Sequence, residues 1–294
     1  MENTESFQIA SSQLVLKVNA NGAELCSVKD IASGFEFIWQ ADPAVWARHA
    51  PVLFPVVGKL FENKIHIDGQ VFNMNPHGFA RDSNFELVEL YADTIRFMLE
   101  SDEETKKVYP YDFKFFVTHE VTDNRVTIGY TVLNTGSKTL FYSVGGHPGF
   151  NLPLKDLSKY LIRFDKPENL ERTMLDHGNR NGLTENLGIG LSELNLSNDL
   201  FINDAIIFQN LKSAQLSLVQ HNSNFKIEMQ YEGFPYLGIW AKYPNQEFIC
   251  LEPWHGLADS VGFNGDISKK RGIIALAPLE EKSFTCTITF TAPE

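Results

Sequence analysis

Three short segments of the chain set titratable side chains among glycines and prolines. They read PHGFARD at residues 76–82, VGGHPGFN at 144–151 and ICLEPWHG at 249–256. Glycine lets the backbone come close to a ligand, and proline stiffens the segment that carries it. A histidine, arginine or glutamate in such a segment can be fixed in place without a helix, as acid–base chemistry requires.

Each segment also has an ordinary structural explanation, because a histidine beside glycine is often a turn residue or a hydrogen-bonded core residue. Glu252 follows a run of apolar residues, and a carboxyl group at the buried end of a strand needs a partner. The motifs G-x-S-x-G, the P-loop and H-E-x-x-H do not occur in the sequence. Hydrolase chemistry with a serine nucleophile and nucleotide-phosphate chemistry therefore lack support.

Composition narrows the class of protein. The 294 residues include 25 Lys and Arg against 37 Asp and Glu, so the formal net charge is −12, and 43% of the residues are hydrophobic. These values are typical of a globular protein and argue against a nucleic-acid partner or an anionic membrane surface. The one tight basic run, Lys269 to Arg271, is interpreted as a solvated turn.

Location is predicted from the cysteines and the first residues. Cys26, Cys250 and Cys286 are widely spaced and odd in number, as expected for reduced thiols in a cytoplasmic protein. Residues 1–6 are acidic and polar rather than typical of a signal peptide. No run approaches the roughly 18 apolar residues that a membrane-spanning helix needs.

The elements that must position the titratable groups are predicted to be strands. Residues 114–121 and 125–133 alternate apolar and polar side chains around Asp123-Asn124, which indicates a β-hairpin. Similar short strands are predicted at residues 14–19, 23–30, 35–39, 214–219, 225–231, 236–241, 247–251 and 283–291. The pattern predicts an all-β protein built as a large antiparallel sandwich, with residues 1–294 forming one domain.

Two parts of the chain depart from this alternation. Residues 155–203 are polar and asparagine-rich, and they are predicted to form long loops with one strand near 160–164. Long ordered loops in a β-domain often border a binding site, although a surface excursion fits equally well. Short helices are possible at residues 43–49 and 192–200.

Five motifs, taken together and in order, resemble the galactose mutarotase-like, or aldose 1-epimerase, superfamily. They read NGAEL at residues 21–25, FPVVGKL at 54–60, HGFAR at 77–81, GHPGFN at 146–151 and LEPW at 251–254. The sequence most resembles the bacterial subgroup encoded with lactose genes, the LacX type. The resemblance implies a β-supersandwich with a sugar-binding cleft and no metal or organic cofactor. It also implies exchange between the α and β anomers of an aldose.

Anomer exchange opens the sugar ring, which needs a base for the anomeric hydroxyl and an acid for the ring oxygen. The resemblance places Glu252 and His147 in these roles. A glutamate, with a reference pKa of about 4.3, is charged at neutral pH and suits the base. A histidine, with a reference pKa of about 6.5, can carry the proton to the ring oxygen.

The remaining site residues are carried over from the same motifs as substrate-binding groups. His77 is expected to orient the sugar, Lys59 stands where many relatives carry arginine, and Arg81 matches an arginine near the phosphate of sugar-phosphate relatives. Asp204 is matched to a residue that binds a substrate hydroxyl. Trp254, Trp240 and Phe150 could stack on the apolar face of the sugar, and plain core packing fits Trp240 at least as well.

Two other functions remain open at the level of sequence. Glu252, His255, His147 and His77 could ligate a metal in a cupin-like enzyme, although no H-x-H pair supports this. A carbohydrate-binding or sensor protein without catalysis would also fit a β-sandwich. For a mutarotase or a sugar-binding protein, the expected partner is a small aldose. The sequence does not indicate whether this aldose is phosphorylated or which oligomeric state the protein has.

Overall fold

The computed structural model describes residues 5–245 and 247–294, so the prediction for residues 1–4 lies outside the described residues. Strands dominate the chain. In chain order they are β1 Ser6–Ala10, β2 Leu14–Asn19, β3 Glu24–Asp30, β4 Val52–Leu53, β5 Lys64–Ile67, β6 Gln70–Asn73, β7 Glu86–Leu90, β8 Thr94–Glu100, β9 Phe113–Thr122, β10 Arg125–Asn134, β11 Leu140–Tyr142, β12 Val144–Gly146, β13 Gly149–Asn151, β14 Tyr160–Asp176, β15 Asn179–Asn195, β16 Ile206–Gln209, β17 Gln215–Gln220, β18 Lys226–Gln230, β19 Tyr236–Trp240, β20 Phe248–His255, β21 Ile274–Leu276 and β22 Glu281–Thr291.

One large sheet contains fifteen of these strands. Its order is β4-β12-β20-β19-β16-β14-β17-β18-β22-β10-β9-β8-β7, with β13 added to β20 and β15 added to β14. A three-stranded sheet, β1-β2-β3, and two two-stranded sheets, β11-β21 and β5-β6, complete the fold. Every strand pair is antiparallel, so the predicted all-β antiparallel sandwich is confirmed.

The predicted hairpin at residues 114–133 is β9 and β10. Along β9, the side chains of Phe115, Val117, His119 and Val121 are buried while their neighbours are more exposed. This alternation is what a strand with one face on the core requires. Apolar side chains from all parts of the described chain join one large core, which fixes the strands that carry the titratable segments.

One prediction about the middle of the chain is wrong. Residues 155–203 are mostly not loops, because β14 and β15, each 17 residues long, form an extended hairpin. Four register shifts interrupt the pairing of the two strands. Most of β15 is exposed to solvent, so its sequence carries no apolar alternation to indicate a strand.

The structure also corrects the helix predictions. Residues 43–49 form turns, and residues 192–195 end β15 before a 3-10 helix at Asn198–Phe201. The other helical elements described are α1 Glu103–Lys106 and 3-10 helices at Phe61–Asn63, Ala80–Asp82, Leu157–Lys159 and Ile267–Lys269. Within the described residues, no helix has the length and hydropathy to cross a bilayer. The segment at residues 35–39 pairs only through isolated bridges.

Candidate active site

A pocket of about 300 Å³ lies beside strands β20, β19 and β16 of the large sheet. All seven residues predicted to form the site line it: Lys59, His77, Arg81, His147, Asp204, Glu252 and Trp254. These residues come from parts of the chain almost 200 positions apart, and the strand order of the sheet brings them together. A pocket with convergent polar groups and an apolar lining is the usual form of a small-molecule site.

Strand β20 places Glu252 and also fixes His147 beside it. β12 and β13 both pair with β20, through Gly145 opposite Trp254 and Gly149 opposite Cys250. The turn between them carries His147, whose backbone N–H donates to the carbonyl of Pro51 at 3.1 Å. The turn is therefore held over the middle of β20, where Glu252 lies.

His147 and Glu252 form a close pair of titratable groups. His147 Nε2 lies 3.1 Å from Glu252 Oε2, with the side chains 12% and 1% exposed. The contact is not a hydrogen bond, so Glu252 Oε2 is buried without a hydrogen-bond partner among the described residues, and His147 Nδ1, the other ring nitrogen, is too. Such buried polar atoms are costly unless a ligand or water satisfies them.

Burial favours the uncharged forms of Glu252 and His147, whereas their reference pKa values favour a charged pair. Burial, with a smaller effect from Asp204, raises the pKa of Glu252 well above its usual value. Burial also lowers the pKa of His147 to about 3, helped by the positive charges of Arg81 and Arg48. Burial therefore favours a protonated Glu252 and a neutral His147, which together still carry one transferable proton.

His77 lies on the other side of His147. The two ring centroids are 5.5 Å apart and the planes are inclined by 78°. His77 has a φ of 67°, and the N–H of Gly58 donates to its Nδ1 at 3.3 Å. Gly78 follows with a φ of 75°, and a Cβ there would lie 2.2 Å from the carbonyl oxygen of Phe54, so only glycine fits.

Positive side chains line one end of the pocket. Arg81 Nη2 donates to the carbonyl of Pro76 at 2.7 Å, while Arg81 Nε is buried without a hydrogen bond among the described residues and lies 3.7 Å from Asp82 Oδ2. Burial lowers the pKa of Arg81 to about 10, and Arg48 adds to this effect. Lys59 Nζ donates to the carbonyl of His177 at 2.9 Å. Both cations are thus held by the backbone near the pocket.

Asp204 and Trp254 occupy the wall next to Glu252. Asp204 is exposed, has a φ of 76° in the turn before β16, and accepts from the N–H of Ala205 at 2.9 Å. Trp254 is 4% exposed and its ring lies against Gly238, where a Cβ would come within 2.7 Å of it. Its indole Nε1 is buried without a hydrogen-bond partner among the described residues.

The aromatic wall differs in part from the prediction. Trp240 lines the pocket as expected. Phe150 does not, because it is fully buried and packs on Phe290, so the proposal that it stacks on a sugar is wrong. Sequence reasoning missed Trp46, which lines the pocket next to His147, and Arg48, whose charge acts on His77, His147 and Arg81.

The proposed four-residue metal site is not assembled. His255 is on the opposite face of β20 from Glu252 and stacks on Phe284, with ring centroids 4.1 Å apart. Ligand atoms of His147, Cys250 and Glu252 do lie within 4.8 Å of one another. Burial raises the pKa of the Cys250 thiol well above its usual value, which disfavours the thiolate that would bind a metal. All three cysteines are free, as predicted.

A family model described as aldose 1-epimerase matches residues 5–272 of the chain. The protein LacX, chromosomal, of Lactococcus lactis subsp. lactis is 30% identical over 302 residues, covering 96% of this chain and 99% of LacX.

Solved structures agree with the family model. A galactose mutarotase related enzyme from Lactobacillus acidophilus superposes with a TM-score of 0.94 at 32% identity, covering 98% of each chain. A galactose mutarotase-like protein from Lactobacillus casei ATCC 334 has a TM-score of 0.94 at 29% identity, covering 98% of this chain and 100% of that one. With the family model spanning most of its length, the chain belongs to the aldose 1-epimerase family.

Proposed function

We propose that this protein is an aldose 1-epimerase, or mutarotase, which interconverts the α and β anomers of an aldohexose or an aldohexose phosphate. Glu252 acts as the base and His147 as the acid. The observation that carries the proposal is the 3.1 Å approach of these two groups in the pocket. Both retain buried atoms with no hydrogen-bond partner among the described residues, which two sugar oxygens would satisfy.

Ring opening moves one proton at each group. The Glu252 carboxylate takes the proton of the anomeric hydroxyl, the C1–O5 bond breaks, and protonated His147 gives its proton to O5. The products are an open-chain aldehyde, a protonated Glu252 and a neutral His147. After rotation about C1–C2, Glu252 returns its proton to O1 while His147 takes the proton from the C5 hydroxyl, and the ring closes as the other anomer.

The proton distribution that burial favours in the free site matches the middle of this cycle. A raised pKa for Glu252 and a lowered pKa for His147 favour the form that accompanies the open-chain sugar. The charged form needs only the transfer of one proton across the 3.1 Å between the two side chains. Sugar hydroxyls that donate to the carboxylate would stabilise that charged form as the substrate replaces water.

The other pocket residues are proposed to bind and orient the sugar. A neutral His77 can donate a hydrogen bond to the carbonyl oxygen of the open chain, since burial and the charge on His147 lower its pKa well below its usual value. Asp204 accepts from a sugar hydroxyl, Trp254 packs on an apolar face, and Lys59 and Arg81 bind hydroxyls or a phosphate. Charge-assisted contacts to phosphate are among the stronger hydrogen bonds.

The test is the rate of anomer exchange, followed by polarimetry or NMR with α-glucose, α-galactose and their 6-phosphates. We expect acceleration over buffer by the native protein. Loss of one acid–base partner typically lowers a rate by about 10²–10⁴-fold, so Glu252→Gln should lose most activity and keep its fold. Glu120→Gln, at an exposed position on β9, is the matched control and should keep full activity.

Two outcomes would contradict the proposal. If no aldose or aldose phosphate is exchanged faster than in buffer, the chain is not a mutarotase, and calorimetric binding of the same sugars would then favour the non-catalytic sugar-binding alternative. If Glu252→Gln retains native activity, the carboxyl group has no part in the proton transfer.

A further inference from the structure

Trp46 lies directly on the ring of His147, although no motif in the sequence marks it. The two ring centroids are 5.1 Å apart and the planes are inclined by only 31°. Trp46 is on the irregular segment between β3 and β4 and lines the pocket. One face of the His147 ring is therefore covered by an indole, while its Nε2 lies 3.1 Å from Glu252.

Trp46 is itself held firmly in this position. Its ring stacks on Phe248 at 5.3 Å between centroids, with an interplanar angle of 10°, and meets Trp240 edge-on at 5.5 Å. Its carbonyl oxygen accepts from Trp39 Nε1 at 2.7 Å, and its N–H donates to the carbonyl of Asp42 at 2.8 Å. Ring contacts of this kind each contribute about 0.5–1.5 kcal/mol beyond the burial of area.

Gly149 leaves the room that this indole occupies. A Cβ at Gly149 would lie 2.9 Å from Trp46 Cζ3 and 3.3 Å from the carbonyl oxygen of His49. The φ of Gly149 is not in the left-handed region, so the reason for glycine here is space rather than backbone conformation. The second glycine of the GHPGF segment thus connects the loop of Trp46 to the turn of His147.

Among the described residues, the His147 ring also meets the ring of Trp240 at 5.8 Å between centroids and several titratable groups. Glu252 and Cys250 approach from β20, His77 from the loop before the 3-10 helix at Ala80–Asp82, and Arg81 and Arg48 act through their charges. Of the described rings near His147, that of Trp46 is inclined at 31° to it and those of His77 and Trp240 at 78°, so Trp46 is the one oriented to pack on a ring face. Removing the indole would open that face to water.

We propose that Trp46 is a positioning residue, which fixes the imidazole of His147 against Glu252 and excludes water from it. The role in catalysis rests on the proposed mutarotase function, whereas the effect on His147 does not. Displacement of a catalytic group by about 1 Å can cost about 10²-fold in rate. Because the pKa of His147 is lowered mainly by burial, opening the ring face to water should raise it.

The experiment compares Trp46→Ala and Trp46→Phe with the native protein. The pKa of His147 is measured by NMR of labelled histidine, with the signal assigned from its loss in His147→Asn. Native protein should show no midpoint for His147 above about pH 4, and Trp46→Ala should move the midpoint by at least about one unit toward 6.5. Trp46→Phe keeps an aromatic cover and should stay close to native.

Exchange kinetics supply the second measurement. Trp46→Ala should lower kcat by about 10–10²-fold and shift the acidic limb of the pH–rate profile upward. Gly149→Ala should show the same two changes in weaker form, because its Cβ displaces the indole. Phe72→Ala, which removes a half-buried aromatic ring outside the pocket, controls for lost stability and should leave the pKa of His147 unchanged.

The outcomes separate the two proposals. If the native protein exchanges no sugar, the mutarotase function is wrong, yet the histidine titration still tests the contact with Trp46. If the pKa of His147 is the same in Trp46→Ala, Trp46→Phe and native protein, the positioning role of Trp46 is overturned. It is also overturned if Phe72→Ala shifts this pKa as far as Trp46→Ala does.

Discussion

The chemistry of the site depends on how far burial changes two side chains. A buried carboxyl and a buried imidazole 3.1 Å apart hold one proton between them. In water, that proton would sit on the imidazole, but desolvation favours the form without charges, in which the proton is on Glu252. The reference pKa values used with the sequence could not indicate this, because they contain no information on burial.

Arg81 is the residue that tests phosphate recognition. We expect Arg81→Ala to raise KM for a sugar 6-phosphate by about 10–10²-fold, the worth of a hydrogen bond to a charged group of about 1.5–3 kcal/mol. KM for the neutral sugar should change little. Arg81→Lys keeps the positive charge but lacks the planar guanidinium group. Its KM for the sugar 6-phosphate should therefore lie between the native and Arg81→Ala values.

Exchange rates measured with paired sugars, galactose and glucose against their 6-phosphates, give this comparison directly. Arg81 also donates to the carbonyl of Pro76, which supports the segment carrying His77. An equal loss for neutral and phosphorylated sugars would assign Arg81 to that support and remove the phosphate site.

The same residue scale shows what the sequence could indicate about the site. His77, His147 and Glu252 stand among glycines and prolines, where their types alone suggest chemistry, and all three line the pocket. Trp46 carries no such sign, because a tryptophan in a loop has many possible environments. Only the packing of residues from β13, β19 and β20 around it brings it onto His147.

At the scale of elements, the tip of the β14–β15 hairpin closes one side of the pocket. Arg180 N and Nε donate to the carbonyls of Asp259 and Ala258, each at 2.8 Å. Asn179 Nδ2 donates to the carbonyl of Lys59 at 3.1 Å. The loop that contacts the tip contains Asp259, and Lys270 anchors this loop because its Nζ lies 2.6 Å from Asp259 Oδ1. The interpretation of Lys270 as part of a solvated turn is therefore wrong.

We expect Arg180→Ala to loosen this tip. Leaving the carbonyl of Ala258 without its donor costs about 1–3 kcal/mol of stability. Because the tip carries the carbonyl that holds Lys59 Nζ, KM should rise by up to about tenfold while kcat changes little.

The matched control is Arg163→Ala in the same hairpin. Arg163 pairs with Glu193 at 2.8 Å, with the side chains 52% and 45% exposed, and such surface pairs contribute about 0–1 kcal/mol. Thermal denaturation and exchange kinetics of both variants provide the measurement. Equal effects on KM would show that the tip has no particular role at the pocket.

The elements also show where sequence reasoning succeeds and fails. β2 begins and ends at the predicted residues, and β9 and β10 extend the predictions by one residue at one or both ends, because one face of each is buried. The hairpin of β14 and β15 was missed because its outer strand packs against little besides its partner. A strand without a buried face has no period-2 signal to detect.

At the scale of the whole molecule, acidity and site charge are separate properties. The net charge of −12 describes the surface, whereas the pocket gathers Lys59, Arg81, His77 and His147. Fifteen strands in one sheet, running from β4 near the start to β22 near the end, support our proposal that residues 1–294 form a single domain. Unfolding by urea should then occur in one transition.

Four largely buried histidines predict how that transition depends on pH. Burial is the main cause that lowers the pKa of His119 and of His255 to about 4, of His147 to about 3, and of His77 well below its usual value. The unfolded chain binds these protons at about pH 6.5, so the stability present above that pH is lost as pH falls toward the folded values. Each group contributes at most about 1.4 kcal/mol per pH unit.

Glu252 acts in the opposite direction, because its pKa is raised in the folded state and its protonation favours folding as pH falls. With four groups against one, we expect the urea midpoint to decrease from about pH 7.5 to about pH 5. His119→Gln removes one titrating group, and its amide can donate to the carbonyl of Ala23, which lies 2.9 Å from His119 Nε2. The urea midpoint of this variant should change less with pH than that of the native protein, by about the contribution of one histidine. A midpoint that stays constant over this range would mean that these histidines are protonated inside the folded protein. The proton balance proposed for the site, which depends on a neutral His147, would then be wrong as well.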